Sequence, residues 1–115
     1  MRLTMLETGK TRIVLPERIQ RGDVVRVQIV VQHPMDTGFF RDANANIIPA
    51  WFISDVRVLL NGGEIARFEW TSGISRDPMV AFRLKAETEG TLTVVSKDNR
   101  GSEFRGSAEI KFATT

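Results

Sequence analysis

The stretch DVVRVQIVVQ, from Asp23 to Gln32, alternates apolar and polar side chains with a period of two. Val25, Val27, Ile29 and Val31 fall on one face; Arg26, Gln28 and Gln32 fall on the other. A helix would scatter these residues around its axis and crowd their branched side chains. An extended strand with one buried face gathers them. The same pattern recurs. MVAFRLKAE sets Val80, Phe82, Leu84 and Ala86 against Arg83, Lys85 and Glu87. TLTVVSK offers Leu92 and Val94, and AEIKF offers Ile110 and Phe112.

About seven strands are expected, near 11–15, 24–32, 52–60, 64–70, 79–87, 91–97 and 103–112. Turn signals separate them: Arg21-Gly22-Asp23, Asn61-Gly62-Gly63, Glu89-Gly90 and Asp98-Asn99-Arg100-Gly101. No segment sustains a helical period, although PERIQRG has room for one helical turn before Gly22 stops it. Number and spacing predict an all-β fold, an immunoglobulin-like antiparallel β-sandwich of about seven strands. A cysteine pair and tyrosine are both absent, so "immunoglobulin-like" describes architecture only. At 115 residues the chain is expected to form one domain, 1–115.

Composition removes several functions. Without cysteine there is no disulfide framework, no thiol nucleophile and no thiolate metal site. One histidine does not make a common zinc ligand set. The 16 basic and 14 acidic residues are interleaved, without the basic block that a nucleic-acid binder would show. Arg26 and Gln28 interrupt the longest apolar stretch, Val24 to Val31, so no membrane span is expected. The segment MRLTMLETGKTRIVLP has no uninterrupted apolar run and is not expected to act as a secretory signal peptide.

Residues 33–51, HPMDTGFFRDANANIIPAW, break the rhythm. Connections of that length in a sandwich are more often functional than the short hairpin turns. This one holds the only histidine, His33, with Pro34, Phe39, Phe40, Pro49 and Trp51. His33 lies close to Asp36, the beginning of a catalytic pairing, but no G-x-S-x-G elbow accompanies it. A lone histidine before proline more often shapes a turn. DANANI, from Asp42, imitates the first half of a calcium loop with oxygens at Asp42, Asn44 and Asn46. Ile47 then stands where glycine is needed and Ile53 where glutamate is needed, so a solvated turn is the better account. Arg21-Gly22-Asp23 spells an adhesion tripeptide and equally an ordinary strand-start turn. Adjacent aromatics in extended backbone point opposite ways. Phe39, Phe40 and Trp51 therefore either plug the end of the core or face a partner. No catalytic, cofactor-binding or metal-binding residue is expected.

Five pieces of the chain carry a resemblance. HPMDTG (His33 to Gly38), IIPAWFI (Ile47 to Ile53), the NGG turn at Asn61, DPMVAFRLKA (Asp77 to Ala86) and GTLTVVSKDNRG (Gly90 to Gly101) occur in the order of the SoxZ family and cover most of the chain. The sequence departs from the family pattern at Asp36, usually Glu, and at Phe40, near which a basic residue is usual. It departs again at Asn44-Ala45-Asn46, where a Gly is common, and near Ser96, where a Trp is common.

The resemblance implies an immunoglobulin-like sandwich that serves as the cysteine-free half of SoxYZ, the sulfur carrier of bacterial thiosulfate oxidation. Such a subunit is not an enzyme and holds no cofactor. It pairs with SoxY, whose C-terminal arm carries the reactive cysteine, and helps to dock the pathway's enzymes transiently. Neither nucleic acid nor membrane is a partner. The expected location is the periplasm, reached without a signal peptide of its own by export with SoxY. On this reading His33 and Pro34 end a strand and aim a loop that presents Met35, Phe39, Phe40 and Trp51. These residues are the candidate partner-binding set. The rival reading is a stand-alone immunoglobulin-like adhesion or carbohydrate-binding module, and a hydrolase built on His33 is a minor third.

Overall fold

The structure, a computed structural model, describes residues 8–114; residues 1–7, with the start of the segment weighed as a signal peptide, lie outside the described residues, as does residue 115. The strands are β1 (Thr11–Val14), β2 (Val24–Val31), β3 (Ile53–Leu60), β4 (Gly63–Glu69), β5 (Met79–Lys85), β6 (Gly90–Asp98) and β7 (Glu103–Ile110). They form two antiparallel sheets, one in the order β1-β2-β5 and the other β4-β3-β6-β7. This is the all-β sandwich expected from the period-two pattern, with strand ends displaced by a residue or two where hydrogen bonding stops.

Register explains the core. Val25, Val27 and Ile29 of β2 lie opposite Leu84, Phe82 and Val80 of β5. Val56 and Val58 of β3 lie opposite Phe68 and Ala66 of β4, and Leu60 opposite Leu92 of β6. The inward faces bury Val25, Val27, Ile29, Val31, Ile53, Val56, Val58, Leu92, Val94 and Ile110 together. Each such side chain stabilises the fold by roughly 1.5–3 kcal/mol relative to exposure.

β6 does not alternate cleanly, because Val95 is buried as well as Val94 and Ser96. Val95 lies on the outer face directly between Arg57 of β3 and Arg105 of β7. Long arginine stems on both sides cover a small side chain in the middle of a sheet. Ser96, on the inner face, has no hydrogen-bond partner for its Oγ among the described residues.

The two sides of the sandwich differ. On one, β7 comes so close to β1 that a Cβ on Gly106 would sit 2.7 Å from Cβ of Thr11. On the other, the edge strands β4 and β5 meet through Phe68 and Phe82, with ring centroids 6.0 Å apart. The β3–β4 turn follows its sequence signal: Asn61 and Gly62 have φ of 51° and 87°, as a type I′ hairpin requires. The helical turn allowed by PERIQRG does not form. Ile19 is instead buried and bridges to Phe112, whose neighbour Ala113 donates its N–H to the Ile19 carbonyl at 2.8 Å. Burying Ile19 needs an extended segment there, and that outweighs a weak local helical preference.

Candidate functional site: an aromatic arm on a buried polar base

The connection between β2 and β3 is not an open loop. Asp36 and Trp51 exchange backbone hydrogen bonds of 2.7 and 2.9 Å, and Ile48 donates to the Phe40 carbonyl at 2.8 Å. Arg41 bridges to Ile47. The segment is therefore an irregular antiparallel arm. At its tip Asp42 Oδ1 accepts the N–H groups of Asn44 and Asn46 at 2.9 and 3.0 Å. The Arg41 guanidinium reaches the Ala45 carbonyl at 2.8 Å. The carboxylate of the calcium-like stretch thus caps its own turn. Among the described residues no group of His, Cys, Asp and Glu side chains could hold a metal ion. Along the arm Phe39 is 87% exposed and Phe40 67%, with Ile47 exposed beside them.

The base of the arm is polar and buried. His33 is 1% exposed and Asp98 5%. Met35 donates its N–H to His33 Nδ1 at 3.1 Å, which leaves the ring proton on Nε2, 3.4 Å from Asp98 Oδ2. The same Oδ2 accepts the indole N–H of Trp51 at 2.8 Å. Asp98 Oδ1 accepts the backbone N–H groups of Arg100 and Ser102 at 3.0 and 2.9 Å. His33 and Trp51 meet edge to face, 4.8 Å between centroids, and the Arg100 guanidinium lies 4.2 Å over the Trp51 ring.

Two further clamps join the arm to distant strands. Asp77, ahead of β5, accepts the His33 N–H and donates its own N–H to the His33 carbonyl, both at 2.9 Å. Asn99, in the β6–β7 turn, bonds the Phe52 N–H and carbonyl and donates its amide to the Ala50 carbonyl.

Burial holds the His33 pKa below its ordinary value, against the pull of Asp98 and Asp36. Burial pushes Asp98 the other way. The hydrogen bonds from Trp51, Ser102, Arg100 and His33 outweigh it and keep the carboxylate below its usual range. The base is thus a neutral imidazole beside an anion. Both ring nitrogens are committed to protein groups, so neither faces a substrate proton as a general base must.

The candidate residues separate into two sets. Phe39 and Phe40 stand in solvent, while Pro34 and Trp51 are half-buried. His33 and Met35 are buried, Met35 at 4% exposure. The expectation that the loop presents Met35 to a partner is corrected: its sulfur accepts the Ile53 N–H at 3.3 Å and anchors the arm inward. His33 likewise shapes the arm from beneath it. Sequence proximity suggested Asp36 as the companion of His33; the fold supplies Asp98, while the adjoining Asn99 and Arg100 hold Phe52, Ala50 and Trp51. The signal was the Asp-Asn-Arg-Gly turn, which reads equally well as a hairpin without further purpose.

The family described as sulphur oxidation protein SoxZ matches residues 13–109. The chain belongs to the SoxZ family. Its role accordingly lies in sulfur oxidation by the Sox pathway. No curated protein matches the chain. Among solved structures, this SoxZ-family chain is similar to the superoxide reductase (neelaredoxin) of Ignicoccus hospitalis. The TM-score is 0.70 at 21% identity, over 98% of this chain and 88% of that one. A putative superoxide reductase from Thermotoga maritima gives 0.67 at 18%, over 90% and 86%. The sulfur carrier protein SoxY from Chlorobium limicola f thiosulfatophilum gives 0.65 at 19%, over 93% and 82%. At these identities the structures show a shared fold alone. The positions departing from the family pattern have different settings: Phe40 is exposed on the arm, and Ser96 is buried in the core.

Proposed function

We propose that this chain is the non-catalytic subunit of a heterodimeric sulfur carrier in thiosulfate oxidation, paired with a SoxY-like subunit that bears the reactive cysteine. The observation that carries the reading is the arm. It exposes two phenylalanines on a hydrogen-bonded hairpin whose base is fixed by buried polar contacts. Aromatic side chains held out on a fixed support gain most when a partner covers them, and such residues dominate protein interfaces. Family membership supports a SoxY-like partner. A chain without thiols supplies no sulfur-bearing atom of its own, so the covalent chemistry falls to the other subunit. The carrier visits the pathway's enzymes transiently and works in the periplasm, where this subunit arrives by export with its partner.

The test is to express the chain alone and with a SoxY-like cysteine-arm protein and to measure mass by light scattering on a sizing column. A one-to-one complex is expected. Phe39→Ala and Phe40→Ala should each weaken pairing about tenfold or more, as interface anchors do, while thermal unfolding of the isolated chain stays unchanged. A chain that remains monomeric beside its candidate partner overturns the reading. Alanine variants that pair normally overturn the assignment of the arm. Deleting the partner's signal peptide should retain both subunits in the cytoplasm; independent export of this chain would refute co-export.

A further inference from the structure

The outer faces of the two sheets carry charge in different ways. On the four-stranded sheet the charges neutralise one another: Arg57 pairs with Glu64 at 2.7 Å, Arg67 with Asp55 at 2.8 Å, and Arg105 and Lys97 both with Glu103. The three-stranded sheet is another matter. No carboxylate occurs in β1, β2 or β5, while Lys10, Arg12, Arg26, Arg83 and Lys85 lie on or beside its outer face. Register places Arg26 directly opposite Arg83. Like charges in that position destabilise a sheet. Among the described residues only Lys85 of this set has an ion-pair partner, Glu87 at the rim, 3.5 Å away.

Between the cations stand exposed aliphatic side chains: Val14, Val24 and Met79. Arg12, Val30 and Met79 form one row across the sheet, as the pairings of Val30 with both neighbours require. Beside that row Lys10, Arg12, Val30 and Gln32 line a depression of about 150 Å³.

We infer that the outer face of the β1-β2-β5 sheet is a docking surface for an acidic protein surface, engaged reversibly through its arginines and lysines. Charge complementarity selects the occupant, because the strands offer donors for carboxylates and carry no acid of their own to repel them, Glu87 lying at the rim in its pair with Lys85. Its other side chains favour protein over nucleic acid. Arginine and methionine are enriched at protein interfaces, and these strands place no aromatic ring among the outward cations on which a base would stack. The face shares none of its residues with the aromatic arm. The inference goes beyond pairing and is tested without the partner subunit.

The probe is poly-L-glutamate, titrated against the full chain at low and at high salt. One variant combines Arg12→Gln, Arg26→Gln and Arg83→Gln. A control of equal net charge combines Arg57→Gln, Arg67→Gln and Arg105→Gln on the opposite face. Binding should weaken with salt. It should fall about tenfold in the first variant, as a steered charged encounter does when its charges are removed, and stay within about twofold in the control. Equal loss in both variants would mean that only net charge acts and overturns the inference, as does loss in neither. Tighter binding of a dT oligonucleotide or of phosphatidylglycerol vesicles through the same arginines also overturns it, since the surface would then recognise phosphate.

Discussion

Replacing Asp98 by Asn tests the base of the arm directly. The substitution preserves shape and removes only the charge and one acceptor. Asp98 Oδ2 faces the donors Trp51 Nε1 and His33 Nε2, while Oδ1 faces the N–H groups of Arg100 and Ser102. An amide satisfies one side and turns its own donors toward the other, whichever way it is flipped. A change of histidine tautomer gives no relief, because Nδ1 must still accept the Met35 N–H. Each stranded buried donor costs about 1–3 kcal/mol, so the expected loss is roughly 3–4 kcal/mol. That is a large share of the 5–15 kcal/mol typical of a domain. It corresponds to a melting temperature about 10–20 °C lower for a chain of this size. Urea and thermal unfolding followed by tryptophan fluorescence would measure it. Adding Trp51→Phe removes one of the stranded donors, so the double variant should lose less than the sum of the single ones. A loss for Asp98→Asn below about 1 kcal/mol, with cooperative unfolding intact, would refute the account of the carboxylate as an acceptor fully engaged by its neighbours.

Two further outcomes follow from the same structure. His33 has a folded-state pKa below the unfolded value of 6.5. The unfolded chain therefore binds the proton first, and the contribution of His33 is complete above pH 6.5 and lost as pH falls toward the folded pKa. Because His33 is the only histidine, His33→Gln should abolish that slope in urea titrations across this window; an unchanged slope would assign it to another group. Gly106→Ala would place a methyl group 2.7 Å from Thr11 Cβ and 3.1 Å from its carbonyl oxygen. Forcing β1 and β7 apart should cost about 1–3 kcal/mol. Calorimetry showing no loss would mean that the two edges yield freely.

Much of the architecture was legible because burial on one face imposes a period of two, and Val25, Val27, Ile29 and Val31 display it without interruption. Asn61-Gly62 was legible for a different reason: positive φ at both positions is a local demand that few residues meet. The base of the arm was not. His33 and Asp98 are brought together by sheet packing, and no local rule couples positions so far apart in the chain. Proximity favoured Asp36, whose backbone pairs with Trp51 instead. Burial of Met35 was equally hidden, since it rests on a positive φ at a non-glycine residue that turns the sulfur toward Ile53. Val95 escaped the alternation because its cover comes from arginine stems on neighbouring strands, which period-two reasoning counts as solvent-facing.

A fold shared by superoxide reductases and by a sulfur carrier does not set what any one chain does; the groups placed on it do. Here the one imidazole serves architecture. It accepts the Met35 N–H, meets Trp51 edge to face and shares Asp98 with the indole, so the residues most suggestive of catalysis are those holding the arm in place. That use makes physical sense for the interaction subunit proposed above. An exposed aromatic arm that sampled many shapes would lose binding free energy in being ordered by its partner, whereas one already fixed keeps it. The polar base, clamped by Asp77 from before β5 and by Asn99 from the β6–β7 turn, ties the arm to both sheets. On the proposed pairing, stability at His33 and Asp98 and recognition at Phe39 and Phe40 would be two ends of one device, coupled through the rigidity of the segment between them.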